Sequence, residues 1–456
     1  MDLKVCKFGG SSLGESQRLE HILTILQQDK ARRCVVVSAP GKAADAPVKV
    51  TDLLIRATEK RLAERDPTEE LQAVCKRYHD VYDPLGVPKK QIDQILENLD
   101  ERMIGDTTDA ARFRDLVVVA AGEALNARAF AAFLNARGVK ATPVDPGEAG
   151  LIVTSEFGNA HPLAEATVSL AKLKKTCTDS IVVFPGFFGV TEDGDIATFS
   201  RGGSDLTGAL LAESLDAVEY ENWTDVDGIF STSPKIVDGP EQIDALTYRE
   251  MRELSYIGFG VLHQEAVWPA MRRKIPIRLR NTMNLKNRGT LIVSERLPSE
   301  RDVVGIASGG DFCSFTLQKY LMNREKGFGR KLLSVIEELD LSYEHCPSSV
   351  DSISVVLEQS QLQPDMAHRL LRAMEQQVGP DEVTTEYGIA LIAVVGEGLK
   401  HKIGVLAAAA DALAEAGVNI KLVNQGSSEI SIIFGVDVTD EKDAVRALYK
   451  RFFPQT

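Results

Sequence analysis

Two short clusters in the sequence set a basic side chain beside adjacent glycines. In "KFGGSS", Lys7 precedes Gly9 and Gly10 at the end of an apolar run from Leu3 to Cys6. In "FSRGGSD", Arg201 precedes Gly202 and Gly203, and Ser204 and Asp205 open a helix. Glycines let backbone N–H groups approach an anion closely, and a helix that begins beside them favours negative charge. An arginine can grip a carboxylate through two parallel hydrogen bonds. Asp205 can either hold Lys7 in an ion pair or cap its own helix. Either cluster alone also fits an ordinary glycine-rich turn. Together, at strand ends of one parallel sheet, they can converge above it.

A third cluster is "NWTDVDGIFSTSPKIV". Thr224 and Asp225 offer polar groups for a ribose, Phe230 an aromatic face for a base, and Lys235 a cation for phosphates; a solvated loop is the alternative. No GxxxxGK[ST] loop occurs, and no GxGxxG follows a strand, so a phosphate site here would be of neither the P-loop nor the Rossmann type.

The scaffold for these clusters is a chain of 456 residues, enough for two to four domains of roughly 100–200 residues. With 44% hydrophobic and 26% charged residues it reads as globular. The net charge of −14 argues against non-specific nucleic-acid binding, which needs a basic surface, but leaves room for a small anionic ligand. "MDLKVCKFGG" carries no apolar segment of signal-peptide length, and no run of consecutive apolar residues nears the ~20 of a membrane span. Cys6, Cys34, Cys75, Cys177, Cys313 and Cys346 are scattered, without CxxC spacing, and no HExxH or H-x-E pattern occurs. Reduced core thiols, no protein-held metal and a cytoplasmic location are the expectations.

"LKVCKFGG" predicts a strand and turn, and "SSLGESQRLEHILTILQQ" a helix with Leu19, Ile22, Ile25 and Leu26 on one face and Ser11 or Ser12 as its N-cap. "CVVVSAP" is a buried parallel strand, which completes a βαβ unit. Residues 51–115 predict a helical insertion. "DLVVVAAGE" resumes the sheet, unless "VVVAAGEALNARAFAAFL" is one long helix. Further strands are "VKATPVD", "SIVVFPGFFGV", "AVEYENWTDV", "IPIRLRN" and "GTLIVSE", with a hairpin at Asp193-Gly194 and a helix over "SDLTGALLAESL". This alternation makes residues 1–295 an α/β domain with a mainly parallel sheet between helices. A polar linker, 296–302, leads to a repeat in which 326–357 matches 401–436: small-residue turn, helix, strand, Ser-Ser loop, strand. Two βαββαβ modules follow, 303–380 and 381–456, with ligand sites expected at their seam.

KFGG near the start, VVVSAP, GE at 122–123, FSRGGSD, WTDVDGIF and the repeat ending "VNIKLVNQGSSEISIIFGV" together resemble the monofunctional aspartate kinases, from end to end. "TYREMRELSYIGFGVLHQEA" and "KYLMNREKGFGRK" are most similar to their lysine-responsive Gram-positive branch. The resemblance implies an amino-acid kinase fold followed by two ACT modules. It also implies phosphoryl transfer from ATP to the β-carboxylate of aspartate, the entry to lysine, threonine and methionine synthesis. Carried over motif by motif, Lys7 neutralises the transferred phosphoryl group, Gly9, Gly10 and Gly203 offer N–H groups, and Asp205 orients Lys7. Arg201 binds the α-carboxylate of aspartate and Glu123 its amino group, with Ser38, Thr51, Phe187 and Ser204 completing the pocket. Thr224, Asp225, Phe230 and Lys235 line the ATP site, and Mg²⁺ rides on ATP oxygens and water.

End-product amino acids, lysine or threonine, are expected at the ACT seam, with Met322, Gly327, Phe328, Ser342, Tyr343, Glu344, Ser349 and Asp351 as contacts. A homodimer through the ACT modules is expected, as is joining of the strand near 303–307 to the second module. Two positions depart from the family pattern: Ser233 stands where aspartate is usual, and Gly260 where a phosphate-facing lysine is usual. The same scaffold with another carboxylate substrate, or as a catalytically inactive amino-acid sensor, is the alternative reading.

Overall fold

A computed structural model describes residues 2–200, 202–258, 262, 264–296, 301–400 and 402–454, without the side chains of 118–121 and 264–267. Contacts divide the chain into two compact units. The first runs to Ile229 and includes Gln242–Arg252 and the stretch ending at Arg296; the second takes Phe230–Glu241, a short segment from Glu253, and the C-terminal part. Two segments within the expected 1–295 domain are thus grouped with the C-terminal unit.

In the first unit the order is β1 (Lys4–Phe8), α1 (Ser16–Gln28), β2 (Arg32–Val37), α2 (Val50–Leu62), α3 (Thr68–Tyr82), α4 (Lys89–Met103), α5 (Ala110–Arg114), α6 (Leu125–Ala136) and β3 (Ala141–Pro143). There follow α7 (Ala164–Leu170), α8 (Leu173–Asp179), β4 (Ile181–Pro185), β5 (Phe188–Val190), β6 (Ile196–Thr198), α9 (Gly203–Ser214) and β7 (Glu219–Thr224). The unit closes with β8 (Ala245–Thr247), α10 (Tyr248–Ile257), α11 (Gln264–Arg272), β9 (Ile277–Asn281) and β10 (Thr290–Val293). Eight strands form one sheet in the order β3-β4-β2-β1-β7-β9-β10-β8, parallel except where β10 meets β9. The apolar runs Cys34–Val37 of β2 and Ile181–Pro185 of β4 match burial on both faces. β5 and β6 are a separate hairpin.

Two local expectations are corrected. The first helix does not begin at the glycines: Gly10–Ser12 form a single 3₁₀ turn, and α1 starts at Ser16 after an extended Glu15 with no side-chain cap. Ser12 is instead buried, its hydroxyl 2.7 Å from Thr282 Oγ1. "DLVVVAAGE" is no strand, and the alternative of one long helix holds: Asp115–Ala124 is a π-helical stretch that joins α5 to α6. A wholly apolar run does not tell a buried strand from a buried helix. The continuous helix Ala110–Ala136, 27 residues, is long and apolar enough to cross a membrane by length and composition, although 86% of its apolar window is buried inside the protein.

The second unit adds β11 (Gly305–Gln318), α12 (Phe328–Glu338), β12 (Ser352–Glu358), α13 (Pro364–Ala373), β13 (Glu382–Val395), α14 (Val405–Glu415), β14 (Leu422–Asn424), β15 (Ser431–Asp437) and α15 (Glu441–Phe452). Its strands make one antiparallel sheet, β12-β11-β13-β15-β14. The strand expected after α12 is reduced to isolated bridges at His345 and Ser348, flanking Pro347, which has no N–H to donate. β11 and β13 are 14 residues each and pair along most of their length, with register shifts between Gly309 and Ser314. That break separates two apolar cores. Ile306, Ile392, Phe434, Leu413 and Leu448 build one; Phe315, Phe328, Leu332, Val355 and Leu370 build the other. Gly305–Ala307 of β11 pair with Val395–Ala393, alongside β15.

Candidate active site

Side chains alternate along a strand, so Lys7 and its register partner Asn222 on β7 share the sheet face covered by α9. Lys7 Nζ lies 2.6 Å from Asp205 Oδ1, and Asn222 Nδ2 donates to the same oxygen at 2.9 Å. Tyr220, next along that face, donates its hydroxyl to the Asp205 carbonyl at 3.2 Å. Gly202, at φ 80°, caps α9 without a side-chain bond, so the Asp205 carboxylate serves Lys7 rather than capping the helix. Lys7 and Asp205 are each about one-tenth exposed, shielded enough for the pair to hold its geometry.

The first glycine turn is locked to the loop after β2. Gly41 N–H donates to the Gly10 carbonyl at 2.9 Å, and a Cβ on Gly41 would lie 2.5 Å from that carbonyl's carbon and oxygen. Gly9 N–H is engaged by Trp223 O and Gly203 N–H by Ser200 O, which corrects the expectation that both donate to a phosphate. The N–H groups of Gly10 and Ser11 have no hydrogen-bond partner among the described residues. They are the donors the turn has available for an anion.

A cleft of about 700 Å³ in this unit is lined by Gly10, Ser11, Ser38, Thr51, Glu123 and Asp225, with Arg18, Lys42 and Lys49 adding positive charge. Thr51 stands in the first turn of α2. The Ser38 hydroxyl donates to Ser204 Oγ at 3.1 Å. Glu123 lies in the π-helical stretch, 6% exposed, and its Oε2 has no hydrogen-bond partner. Burial pushes its carboxyl up to about 8, only partly offset by the Ala39 backbone. A buried carboxylate with an unpartnered oxygen at the wall of a cleft suits an incoming cation such as an ammonium.

Phe187 holds a left-handed backbone, φ 82°, with its N–H on Thr207 Oγ1 and its carbonyl accepting from Phe199 N–H. Thr224 Oγ1 donates to Asp225 Oδ1 at 3.1 Å. Phe230 and Lys235 belong to the second unit, where Lys235 is exposed and its N–H donates to Ser233 Oγ. Arg201 and Gly260 lie outside the described residues. Sequence reasoning missed Asn222 and Tyr220, although a polar amide inside an otherwise buried strand was a usable signal. It also missed the opposite face of the sheet. There Arg32 grips Glu221 through two nitrogens at 2.7 and 3.0 Å, and Trp223 Nε1 donates to Glu221 at 3.0 Å.

Of the expected effector residues, Met322 and Phe328 are packed in a core of the second unit, and Gly327, φ 85°, caps α12. Asp351 Oδ1 accepts from Leu321 N–H at 2.8 Å, and Ser349 N–H donates to Ser352 O, so the turn before α12 and the loop before β12 meet. Ser342 is held separately by Gln361. Glu344 is held by backbone bonding to Val356 and by the Tyr256 hydroxyl on its carbonyl; burial raises its carboxyl, and Tyr343 is exposed.

The parallel sheet, with a glycine turn and a lysine–aspartate pair at its strand ends, defines an amino-acid kinase, and the amino acid kinase family model matches residues 2–281. An ACT domain model matches residues 392–452. Over 451 residues the sequence is 47% identical to aspartokinase 3 of Bacillus subtilis, covering 99% of both chains. The structure is similar to that of Clostridium acetobutylicum aspartate kinase, with a TM-score of 0.86, 34% identity and 99% and 100% of the two chains covered. It is also similar to Escherichia coli aspartokinase III in complex with aspartate and ADP, with TM-score 0.81, 25% identity and the same coverage. The complex of that E. coli enzyme with lysine and aspartate matches with TM-score 0.78 and 26% identity, again over 99% and 100% of the chains. The chain belongs to the aspartokinase family.

Proposed function

We propose that the cleft of the first unit is where aspartate is phosphorylated. The enzyme transfers the γ-phosphoryl group of ATP to the β-carboxylate of L-aspartate, giving 4-phospho-L-aspartate and ADP under feedback control. The observation that carries the site reading is the buried Glu123 with its unpartnered oxygen, on the wall that also holds the free Gly10 and Ser11 N–H groups. Glu123 takes the ammonium of aspartate, and Arg201 its α-carboxylate. Ser38, Thr51, Phe187 and Ser204 shape the pocket.

The β-carboxylate is already ionised at neutral pH, so its oxygen attacks the γ-phosphorus without a general base as the bond to ADP breaks. Catalysis is then positioning and electrostatics. Lys7, aimed by Asp205 and Asn222, neutralises charge on the group in transit, and the Gly10–Ser11 turn donates to its oxygens. Thr224, Asp225, Phe230 and Lys235 serve the nucleotide. Among the described residues no group of three or more His, Cys, Asp or Glu side chains gathers as a metal site. Mg²⁺ would be held mainly by ATP oxygens and water, as its hydration preference favours, and would supply charge neutralisation.

In the second unit we divide the sheet into two ACT modules at the β11 break, with lysine as effector near Met322–Phe328, Ser342–Glu344, Ser349 and Asp351. A homodimer through these modules, threonine as a second effector and a cytoplasmic location complete the reading. The test is aspartyl phosphate trapped as hydroxamate from purified enzyme, ATP, Mg²⁺ and aspartate, with and without lysine and threonine. Turnover suppressed by lysine supports site and sensor together. Turnover untouched by both amino acids removes the effector assignment. No turnover with aspartate or glutamate leaves an amino-acid sensor.

A further inference from the structure

The helical insertion backs the cleft through one face of α3. Tyr78 donates its hydroxyl to the Gly122 carbonyl at 2.8 Å, next to Glu123. Tyr82 donates to Asn126 Oδ1 at 2.6 Å, and Asn126 Nδ2 donates to the Ser38 carbonyl at 2.6 Å. Between them Arg77 Nη2 donates to the Gly41 carbonyl at 2.6 Å. Gly41 in turn holds the Gly10 carbonyl, and a Cβ on Gly14 would lie 2.7 Å from the carbonyl oxygen of Lys42. The loop at 41–42 is thus wedged against both ends of the 10–14 turn, and a slide of that loop displaces the turn.

Arg77 is unusual chemistry for such a place. It is 5% exposed, its Nε has no hydrogen-bond partner, and it forms no ion pair among the described residues. Asp45, Asp80 and Glu15 act on it only through longer-range attraction, which burial outweighs. A buried guanidinium without a counter-charge adds little stability, and an apolar side chain of similar volume fills such a site at equal or lower free energy.

We propose that Arg77 is a positioning residue for phosphoryl transfer: its hold on the Gly41 carbonyl fixes the Gly10–Ser11 turn whose N–H groups donate to the phosphoryl group in transit. This rests on the reading of that turn given above. Misplacing such donors by a fraction of an ångström lowers the rate of the chemical step more than it lowers ground-state binding.

The experiment compares wild type, Arg77→Met and Arg77→Lys by kcat, KM for aspartate and ATP, and thermal midpoint. For Arg77→Met the expected result is a kcat lower by about tenfold or more, KM for aspartate within about threefold, and an unchanged or higher midpoint. Arg77→Lys keeps a donor and recovers part of the lost kcat. The proposal is overturned if both variants turn over within about twofold of wild type, if kcat and midpoint fall in step, or if lysine restores nothing. Should Arg77→Met not fold, Arg77→Lys decides alone: a lower kcat at unchanged KM supports the role, and unchanged kcat or a change confined to KM refutes it. Inactive wild-type enzyme would instead sink the kinase reading itself.

Discussion

Lys7 and Asn222 are register partners on neighbouring parallel strands, and both donate to one oxygen of Asp205. The Asp205 carboxylate that aims the lysine is therefore itself fixed by Asn222 before any substrate arrives. Preorganised charge of this kind stabilises the transition state more than the ground state. Lys7→Ala is expected to lower kcat by about a hundredfold or more in the hydroxamate assay. Asp205→Asn, which removes the charge that aims the lysine, should lower it by about tenfold. Turnover near wild type in the lysine variant would remove Lys7 from the mechanism.

Glu123 sets a pH dependence. Its carboxyl titrates near about 8 because it is buried, so below that pH the empty site holds a proton that an arriving ammonium must displace. KM for aspartate should fall as pH rises from about 6 to about 8, and binding should release a proton measurable by calorimetry in two buffers. The same shift bears on stability. Between the ordinary glutamate value of 4.5 and about 8 the folded protein keeps the proton and the unfolded chain has lost it. The stabilisation this gives is complete below that window and is lost as pH rises through it. Glu123→Gln should therefore raise the thermal midpoint more at about pH 9 than at about pH 6, while raising KM for aspartate. A KM flat across that range would take Glu123 out of the substrate site.

Parts of this site were legible in the sequence, and parts were not. Lys7 and Asp205 could be paired from "KFGGSS" and "RGGSD" because glycines beside charged residues are costly unless backbone must approach closely. Glu123 was accessible only through family resemblance, since its apolar neighbourhood reads equally as strand or helix. Arg77 was invisible for a different reason. Lys76 and Arg77 are adjacent in a charged helical segment, and only packing against 41–42 buries one and leaves the other in solvent. The strands of the first unit could be found one by one, but their order depends on long-range pairing. In the second unit the repeat was legible from its pattern, but the register shifts between Gly309 and Ser314 that divide one strand between two cores depend on long-range pairing with β13.

Gly41 is intolerant of a side chain for reasons of space. An added Cβ meets the carbonyl carbon and oxygen of Gly10 at 2.5 Å, and neither can move without moving the turn. Gly41→Ala should lower kcat by about a hundredfold while the far-ultraviolet circular dichroism stays that of wild type. Normal turnover in that variant would show that the 38–46 loop moves freely against the first turn.

In the proposed function Arg201 takes the α-carboxylate of aspartate. Its loss removes binding common to ground and transition states, so Arg201→Ala should chiefly raise KM for aspartate, by about tenfold or more, with a smaller change in kcat. An unchanged KM would make the arginine structural.

Feedback is the last point at which charge decides the outcome. Glu344 is half-buried, and burial raises its carboxyl above the usual glutamate range. An effector ammonium beside it favours the ionised form, so acid opposes lysine binding. The lysine concentration for half inhibition should rise as pH falls from about 8 to about 6. Glu344→Gln should raise that concentration by about tenfold and flatten its pH dependence. Asp351→Ala, which frees the Leu321 N–H and loosens the turn before α12, should weaken inhibition in the same direction but keep the pH dependence of wild type. If Glu344→Gln responds to lysine as wild type does, the ammonium of the effector is held elsewhere in the regulatory unit.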